Sequence, residues 1–321
     1  MGKPKVLLLG QLDHIADTVT TKARNRDQFL QECKNGKHDG VVAICDRAPS
    51  SFTITARFDQ EIIEALPESL KFICHNGAGY DNFDVEACTK RGFLLSNCPL
   101  VVDNATADTA MFLILGFNNG ILEIRGGRWK GSAPPPPLGH DLQGKTLGIL
   151  GMGGIGQNLK KKAEAFGMKV IYHNRTNVRS DLAPGAEYVS FDDLLGRTDV
   201  LSLNLPLNSK TRNFISTKEF KKMKRDIVIV NTARGGVMDE DALVKAIDSG
   251  IVRSVGLDVY QHEPNIHPGL VSNPHVCLLP HMGTFTVETK TMMEELAISN
   301  VRMALKEGKL ETIVPEQAHL V

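Results

Sequence analysis

The chain has 321 residues, 42% of them hydrophobic, which exceeds the length at which one core usually stops growing and supplies enough apolar mass for two. Lys plus Arg and Asp plus Glu each total 37, so no charge bias marks the chain for nucleic acid or an anionic membrane, and a small-molecule partner is expected. The six cysteines (Cys33, Cys45, Cys74, Cys88, Cys98 and Cys277) form no CxxC pair and no even framework, which argues against a zinc site and a disulfide scaffold and fits a reducing compartment.

The apolar run near the N-terminus, Lys5–Leu9, is far too short for a signal sequence or a membrane span and reads as a first strand, so a cytoplasmic protein is expected. Further short β-branched runs alternate with longer amphipathic stretches, the pattern of βα units around parallel sheets. Gly40–Ile44, Phe72–His75 and Phe93–Ser96 read as strands, with helical stretches such as Phe58–Leu66 between them, giving a small flavodoxin-like open sheet. Asn104 to Ile124 reads as a long, mostly apolar helix. The run Ala133-Pro-Pro-Pro-Pro-Leu138 must be extended surface chain, since proline there permits neither helix nor central strand. It reads as a spacer, with a partner-binding proline motif as the alternative.

After the prolines, Lys145–Leu150, Lys169–His173, Val200–Leu205, Ile227–Asn231, Ser254–Val259 and Val276–Leu279 read as buried strands. Helices are expected at Ile155–Phe166, Thr217–Lys222 and Asp239–Asp248, the last opened by Asp239 and Glu240, where the helix dipole favours anions. The expected fold class is therefore α/β, with two doubly wound parallel-sheet domains and an interdomain cleft. The amphipathic stretch Val287 to Lys306 returns to the first domain, so residues 1–103 with 286–321 form a discontinuous substrate domain and 104–285 a Rossmann dinucleotide-binding domain.

Thr146-Leu-Gly-Ile-Leu-Gly151-Met-Gly153-Gly154-Ile155-Gly156 places GxGxxG between an apolar strand and a helix. Gly151 permits the tight turn, Gly153 lets the backbone approach a pyrophosphate, and Gly156 allows close helix-to-strand packing, with phosphate at the helix N-terminus. Ligands of an open α/β sheet bind beyond the carboxyl ends of the strands. Reading off those ends yields Leu205-Pro206-Leu207, Thr232-Ala233-Arg234-Gly235, Asp258, and Pro280-His281-Met282-Gly283. Reduction of a 2-oxo acid needs a cation for the carboxylate, a proton donor for the developing alkoxide, and a group that tunes the donor. Singly, an arginine after a strand is more often a surface cation, a loop glutamate such as Glu263 solvated, and a histidine after proline a satisfied loop residue. Their coincidence at one sheet edge points to the chemistry.

The dinucleotide's ribose lies beyond the second strand of such a unit, where an NAD site usually places Asp or Glu. Here Lys169–His173 runs into Asn174-Arg175-Thr176 with no acid before Asp181. Arg175 suits a 2′-phosphate, and Asn174 and Thr176 add neutral hydrogen bonds, so NADP(H) is expected to be preferred, with NAD(H) possible. A plain polar turn is the alternative reading.

In the segments Asn76-Gly-Ala-Gly-Tyr-Asp-Asn82, Thr106-Ala-Asp108, the glycine loop, Leu205–Arg212, Val230–Gly236, Gly256–Pro264 and Leu279–Gly283, the chain resembles the D-isomer-specific 2-hydroxyacid dehydrogenases over essentially its whole length. The GAGYDN and TAD segments look most like the glyoxylate, hydroxypyruvate and mandelate-type branch. The resemblance implies that Arg234 binds substrate carboxylate and carbonyl, that His281 is the acid/base, and that Glu263 hydrogen-bonds to it. It implies that the backbone amides of Ala78 and Gly79 receive the substrate carboxylate. It places Thr106, Leu205, Pro206, Thr211, Thr232, Ala233, Asp258 and Gly283 along the cofactor, Asp258 near the carboxamide. Arg125, Gly127, Arg128 and Trp129 match a segment near a homodimer interface, with Trp129 in reach of the partner's site. The substrate side chain would meet loops around Leu12, Asp46–Phe52, the GAGYDN turn, Trp129 and Phe285. Two other readings share the fold: a dinucleotide-sensing, corepressor-like binding protein, and a formate dehydrogenase-like enzyme, which would need no His and Glu pair.

Overall fold

The apolar β-branched runs pair side by side, all in parallel, in the computed structural model, which describes residues 5–8, 16–46, 54–116, 126–133, 135 and 138–320. One compact unit comprises Met1–Val102 with Thr286–Val321, and a second comprises Asp103–Phe285.

Among the described residues the first unit holds five strands: β1 (Lys5–Leu8), β2 (Asp17–Thr20), β3 (Val41–Asp46), β4 (Phe72–His75) and β5 (Leu94–Ser96). Their order, β2-β1-β3-β4-β5, is the flavodoxin-like arrangement. Strand side chains alternate between faces, and here both faces are covered. Ile44, Ile73 and Leu95 pack with Phe29, Phe58, Ile62 and Phe93 on one side. Ala43, Cys45, Phe72 and Cys74 pack on the other against Ala297, Val301 and Ala304 of the helix Val287–Glu307. That helix starts where Thr286 caps the Thr289 amide and stops at Gly308, whose φ of 69° suits glycine. β2 did not figure among the expected elements, because its sequence DTVT is largely exposed at the sheet edge and carries no apolar alternation.

The second unit's strands are β6 (Thr146–Leu150), β7 (Lys169–His173), β8 (Glu187–Tyr188), β9 (Val200–Leu203), β10 (Ile227–Asn231), β11 (Val252–Leu257) and β12 (Val276–Leu278). Their order, β12-β11-β10-β9-β6-β7-β8, is the Rossmann arrangement with one further strand, and the direction of winding reverses between β6 and β9. Leu150 is in register with Leu203, Asn231 with both Leu203 and Leu257, and Leu257 with Leu278. The glycine loop and the loops after β9 to β12 therefore leave from one edge. The two-residue exposed strand β8 was also unforeseen.

The long apolar helix begins at Asp103 and is described to Leu115, and the expected continuation through 117–124 lies outside the described residues, as do Leu9, Leu12, 47–52, Arg125 and three of the four prolines. The helix expected from Asp239 starts at Glu240, because the Asp239 carboxylate is its cap, accepting from the Ala242 amide at 3.0 Å. None of the six cysteines is in a disulfide, and four of them are buried. Among the described residues no cluster of His, Cys, Asp or Glu suits a metal, and no helix is long and apolar enough to cross a membrane.

Candidate active site

In the glycine loop each glycine has its own reason. Gly151 has a φ of 103°, and a Cβ there would lie 2.7 Å from the Asn204 carbonyl oxygen. A Cβ on Gly156 would meet the Gly151 carbonyl oxygen at 2.5 Å, so this helix turn sits directly on the strand end. Gly153 caps the helix Gly154–Ala165 without a side-chain hydrogen bond, and its Cβ position faces open space. The first-turn amides are thus left to an anion from solvent, and the cradle fits a dinucleotide pyrophosphate. Gly154 lies against Asp103: a Cβ would stand 1.9 Å from the Asp103 carboxylate, which burial pushes above the ordinary range.

At the end of β7, Asn174 turns inward. Its Oδ1 accepts from the Met152 amide at 2.7 Å, bracing the glycine loop, while the Tyr188 hydroxyl donates to its carbonyl. Arg175 and Thr176 are exposed, and Arg175 has no hydrogen bond or ion pair among the described residues. Beyond β9, the Thr211 hydroxyl donates to the Pro206 carbonyl at 2.6 Å, closing the loop that starts at Leu205.

Three loops carry the polar residues. After β10, Asn231 folds the turn on itself: its Nδ2 donates to the Arg234 carbonyl at 2.9 Å and its Oδ1 accepts from the Ala233 amide at 3.0 Å. Arg234 is half-buried, with Nη1 on the Ala233 carbonyl at 2.8 Å. Beside it the Thr232 hydroxyl is buried with no hydrogen-bond partner among the described residues. The loop after β11 approaches so closely that a Cβ on Gly235 would fall 1.9 Å from the Tyr260 carbonyl carbon.

That second loop carries Asp258, Tyr260 and Glu263. Asp258 is 1% exposed and grips the third loop, its two oxygens accepting from the Met282 and Gly283 amides at 2.6 and 2.7 Å. Burial raises its carboxyl above the ordinary range, against the pull of those amides and of His281. The Tyr260 hydroxyl donates to the Leu279 carbonyl at 2.7 Å, and the Thr106 hydroxyl to the Gly283 carbonyl at 3.3 Å. Between these anchors His281 adopts a left-handed φ of 56°.

Glu263 divides its oxygens. Oε1 accepts from the Tyr260 amide at 2.9 Å, and Oε2 takes His281 Nδ1 at 2.8 Å. Burial pushes the Glu263 carboxyl up, but the hydrogen bond and charge of His281, the Tyr260 amide and the Arg234 charge together hold it below the usual carboxylate range. With Nδ1–H donated to Glu263, Nε2 is the ring atom left to a ligand. Arg234, Glu263, His281 and Asp258 thus share one edge, bound through the Gly235–Tyr260 contact and the Asp258 grip.

Ala78 and Gly79 lie in the other unit, in the turn after β4. Both are half-buried, and neither amide donates to a described residue.

The chain is similar to known proteins over nearly its whole length. The sequence profile described as "D-isomer specific 2-hydroxyacid dehydrogenase, NAD binding domain" matches residues 109–283. The 4-methyl-2-oxopentanoate reductase A of Aspergillus oryzae is 49% identical over 331 positions, spanning 99% of each chain. The chain belongs to the D-isomer-specific 2-hydroxyacid dehydrogenase family. The crystal structure of a glyoxylate reductase from Paecilomyes thermophila superposes with a TM-score of 0.93 at 50% identity, covering 99% of this chain and 100% of that one. An NADPH-dependent glyoxylate/hydroxypyruvate reductase of Sinorhizobium meliloti, solved with NADP and malonate, gives a TM-score of 0.83 at 28% identity, covering 98% of each.

As a member of this family the protein is an oxidoreductase. Several residues that build its site went unnoticed in the sequence. Asn231 and Tyr260 lie inside the segments Val230–Gly236 and Gly256–Pro264, but as a polar and an amphipathic residue at or just past a strand end they had been given no role. Asp103 had none, because its neighbour Gly154 is 51 positions away.

Proposed function

We propose that this dehydrogenase reduces a small 2-oxo acid to the D-2-hydroxy acid with NADPH, and runs the reverse oxidation. The observation that carries the reading is the His281–Glu263 pair, with Nδ1 held at 2.8 Å and Nε2 without a hydrogen bond among the described residues, on the edge where the dinucleotide cradle opens. When bound, the reduced nicotinamide supplies the hydride for the substrate carbonyl carbon. His281 enters as imidazolium and passes its Nε2 proton to the carbonyl oxygen, while the Glu263 carboxylate stabilises the charged ring. The Arg234 guanidinium binds carboxylate and carbonyl and polarises the latter. The amides of Ala78 and Gly79 offer an anion nest for a carboxylate oxygen. Asp258 acts through the Met282 and Gly283 amides, positioning His281, and Gly151, Gly153, Gly154, Ile155 and Gly156 receive the pyrophosphate.

The NADPH preference is supported by the unpartnered, exposed Arg175 and by the lack of a carboxylate at the end of β7. The names of the relatives suggest glyoxylate, hydroxypyruvate and branched 2-oxo acids as substrates. A homodimer is supported by the exposed Phe112, Leu115, Trp129 and Leu138, 41% to 86% accessible and all near the segment matched to the family's interface. Cysteines without disulfides and balanced charge support a cytoplasmic enzyme without nucleic-acid partners.

The test is kcat/KM for glyoxylate, hydroxypyruvate, phenylpyruvate and 4-methyl-2-oxopentanoate with each reduced cofactor. His281→Ala should lose about 10²- to 10⁴-fold in kcat while retaining NADPH binding. No turnover of any 2-oxo acid by the unmodified protein would return the sensor reading, and near-normal turnover by His281→Ala would remove the histidine from the mechanism.

A further inference from the structure

The strand ends of the first sheet carry a second histidine–carboxylate pair that the mechanism above does not use. Asp46 ends β3, His75 ends β4, and the two are in register. His75 Nδ1 lies 2.6 Å from Asp46 Oδ2, and Nε2 lies 3.1 Å from the Gly79 carbonyl oxygen. Both side chains are shut from water, at 4% and 0% exposure, with the ring edge-on to Phe83.

The proton count follows from the partners. A carbonyl oxygen only accepts, so Nε2 carries a hydrogen. Nδ1 faces a carboxyl oxygen at a distance that two lone pairs would not hold, so a second proton lies between them. The pair is therefore doubly protonated and neutral in sum, as imidazolium beside carboxylate or the equivalent tautomer. Burial favours the same count: Asp46 Oδ1 has no hydrogen-bond partner among the described residues, and a lone carboxylate in that place would be costly.

The two protons serve the turn that follows. Gly77, Ala78 and Gly79 have their carbonyls captured in succession, by the Cys98 amide at 2.8 Å, Asn97 Nδ2 at 2.7 Å and His75 Nε2 at 3.1 Å. The turn wraps the ring so closely that a Cβ on Gly77 would lie 2.3 Å from Nε2. The Asp46 carbonyl in turn accepts from the Asn76 amide at 2.9 Å. With every carbonyl committed to the scaffold, the amides of Gly77, Ala78 and Gly79 remain without protein acceptors among the described residues.

We propose that Asp46 and His75 are positioning residues that use a buried, doubly protonated pair to clamp the Gly79 carbonyl and hold the turn's amides ready for the substrate carboxylate. The inference rests on the reading that Ala78 and Gly79 receive that carboxylate. The pair sets substrate affinity and leaves hydride and proton transfer to the dinucleotide-binding unit.

His75→Phe keeps the ring's packing on Phe83 and removes both donors. It should raise KM for the 2-oxo acid about tenfold or more, the loss of one buried hydrogen bond, with kcat within about twofold and NADPH affinity unchanged. Asp46→Asn is the conservative counterpart: its amide can donate to Nδ1, leaving a neutral imidazole with Nε2–H still on Gly79, so KM should stay within about threefold of the parent. Nitrogen NMR of the unmodified protein reads the pair without turnover, and both His75 ring nitrogens should carry protons at neutral pH, but only Nε2 in Asp46→Asn. Titration of oxamate, a non-reducible 2-oxo acid analogue, into the NADPH complex should reproduce the KM pattern as Kd. An unprotonated His75 nitrogen in the unmodified protein overturns the proposal, as does an unchanged KM in His75→Phe. A common fall in kcat, affinity and Tm in both variants reveals a purely structural pair and overturns it too. If the protein turns over no 2-oxo acid, the NMR and oxamate readouts still decide the pair, so failure of the proposed function is seen separately.

Discussion

Replacing Glu263 by Gln isolates the charge of the carboxylate beside His281. The two oxygens of Glu263 accept from the Tyr260 amide and from His281 Nδ1, whereas a glutamine has one acceptor for these two donors. With its oxygen kept on Tyr260, its amide would face Nδ1 and favour the neutral ring over the imidazolium that reduction requires. Two unit charges about 4 Å apart attract by roughly 4 kcal/mol at an effective dielectric of about 20 and by about 1 kcal/mol in water. The side chains are 49% and 34% exposed, so solvent screening brings the pair towards the lower figure, about 1–2 kcal/mol. At about 1.4 kcal/mol per factor of ten, kcat/KM for reduction should fall about five- to thirtyfold. Glu263 itself sets no limb of the pH profile in the working range. Its carboxyl is held below 4.5, so the stability it contributes is present above that pH and is lost only as the pH falls through its lowered folded value. The assay is NADPH oxidation with a 2-oxo acid from pH 5 to about 9, for parent and variant. Equal kcat/KM for parent and variant would refute the coupling, and a faster variant would refute its sign.

Arg234→Lys should raise KM for the 2-oxo acid at least about tenfold while conserving charge, because a lysine point charge cannot pair bidentately with a planar carboxylate; unchanged KM would place the carboxylate elsewhere. Arg175→Ala should weaken NADPH about tenfold or more and NADH little, measured as the ratio of their KM values, and an equal loss for both would remove Arg175 from the 2′-phosphate. Asp258→Asn can accept only one of the two amides that the carboxylate now holds, leaving a buried donor at a cost of about 1–3 kcal/mol. It should lower kcat about ten- to 10²-fold through His281 and lower Tm by a few degrees, and a kinetically silent variant would show that the grip on Met282 and Gly283 does not position the histidine.

Much of this protein was legible in the chain because its elements carry local signals. β4, β7 and β10 lie within continuous apolar runs buried on both faces, and their boundaries match those expected from sequence. The glycine loop declares itself through residues that a backbone turn and a helix contact require, and Arg234, Asp258 and His281 follow strand ends that are themselves visible. The edge strands Asp17–Thr20 and Glu187–Tyr188 escaped notice because exposed, polar strands have no apolar period. Tertiary structure alone decided the partners. Nothing near Asn174 says that its oxygen braces Met152, 22 residues away, or that Asp258 grips amides 24 and 25 residues on. Nor does any pattern join Asp46 to His75 across 29 residues, since that contact exists only where two parallel strands end in register. Periodicity records which face of an element is buried, whereas the meeting of two polar side chains depends on strand order and register, which arise only when the sheet assembles.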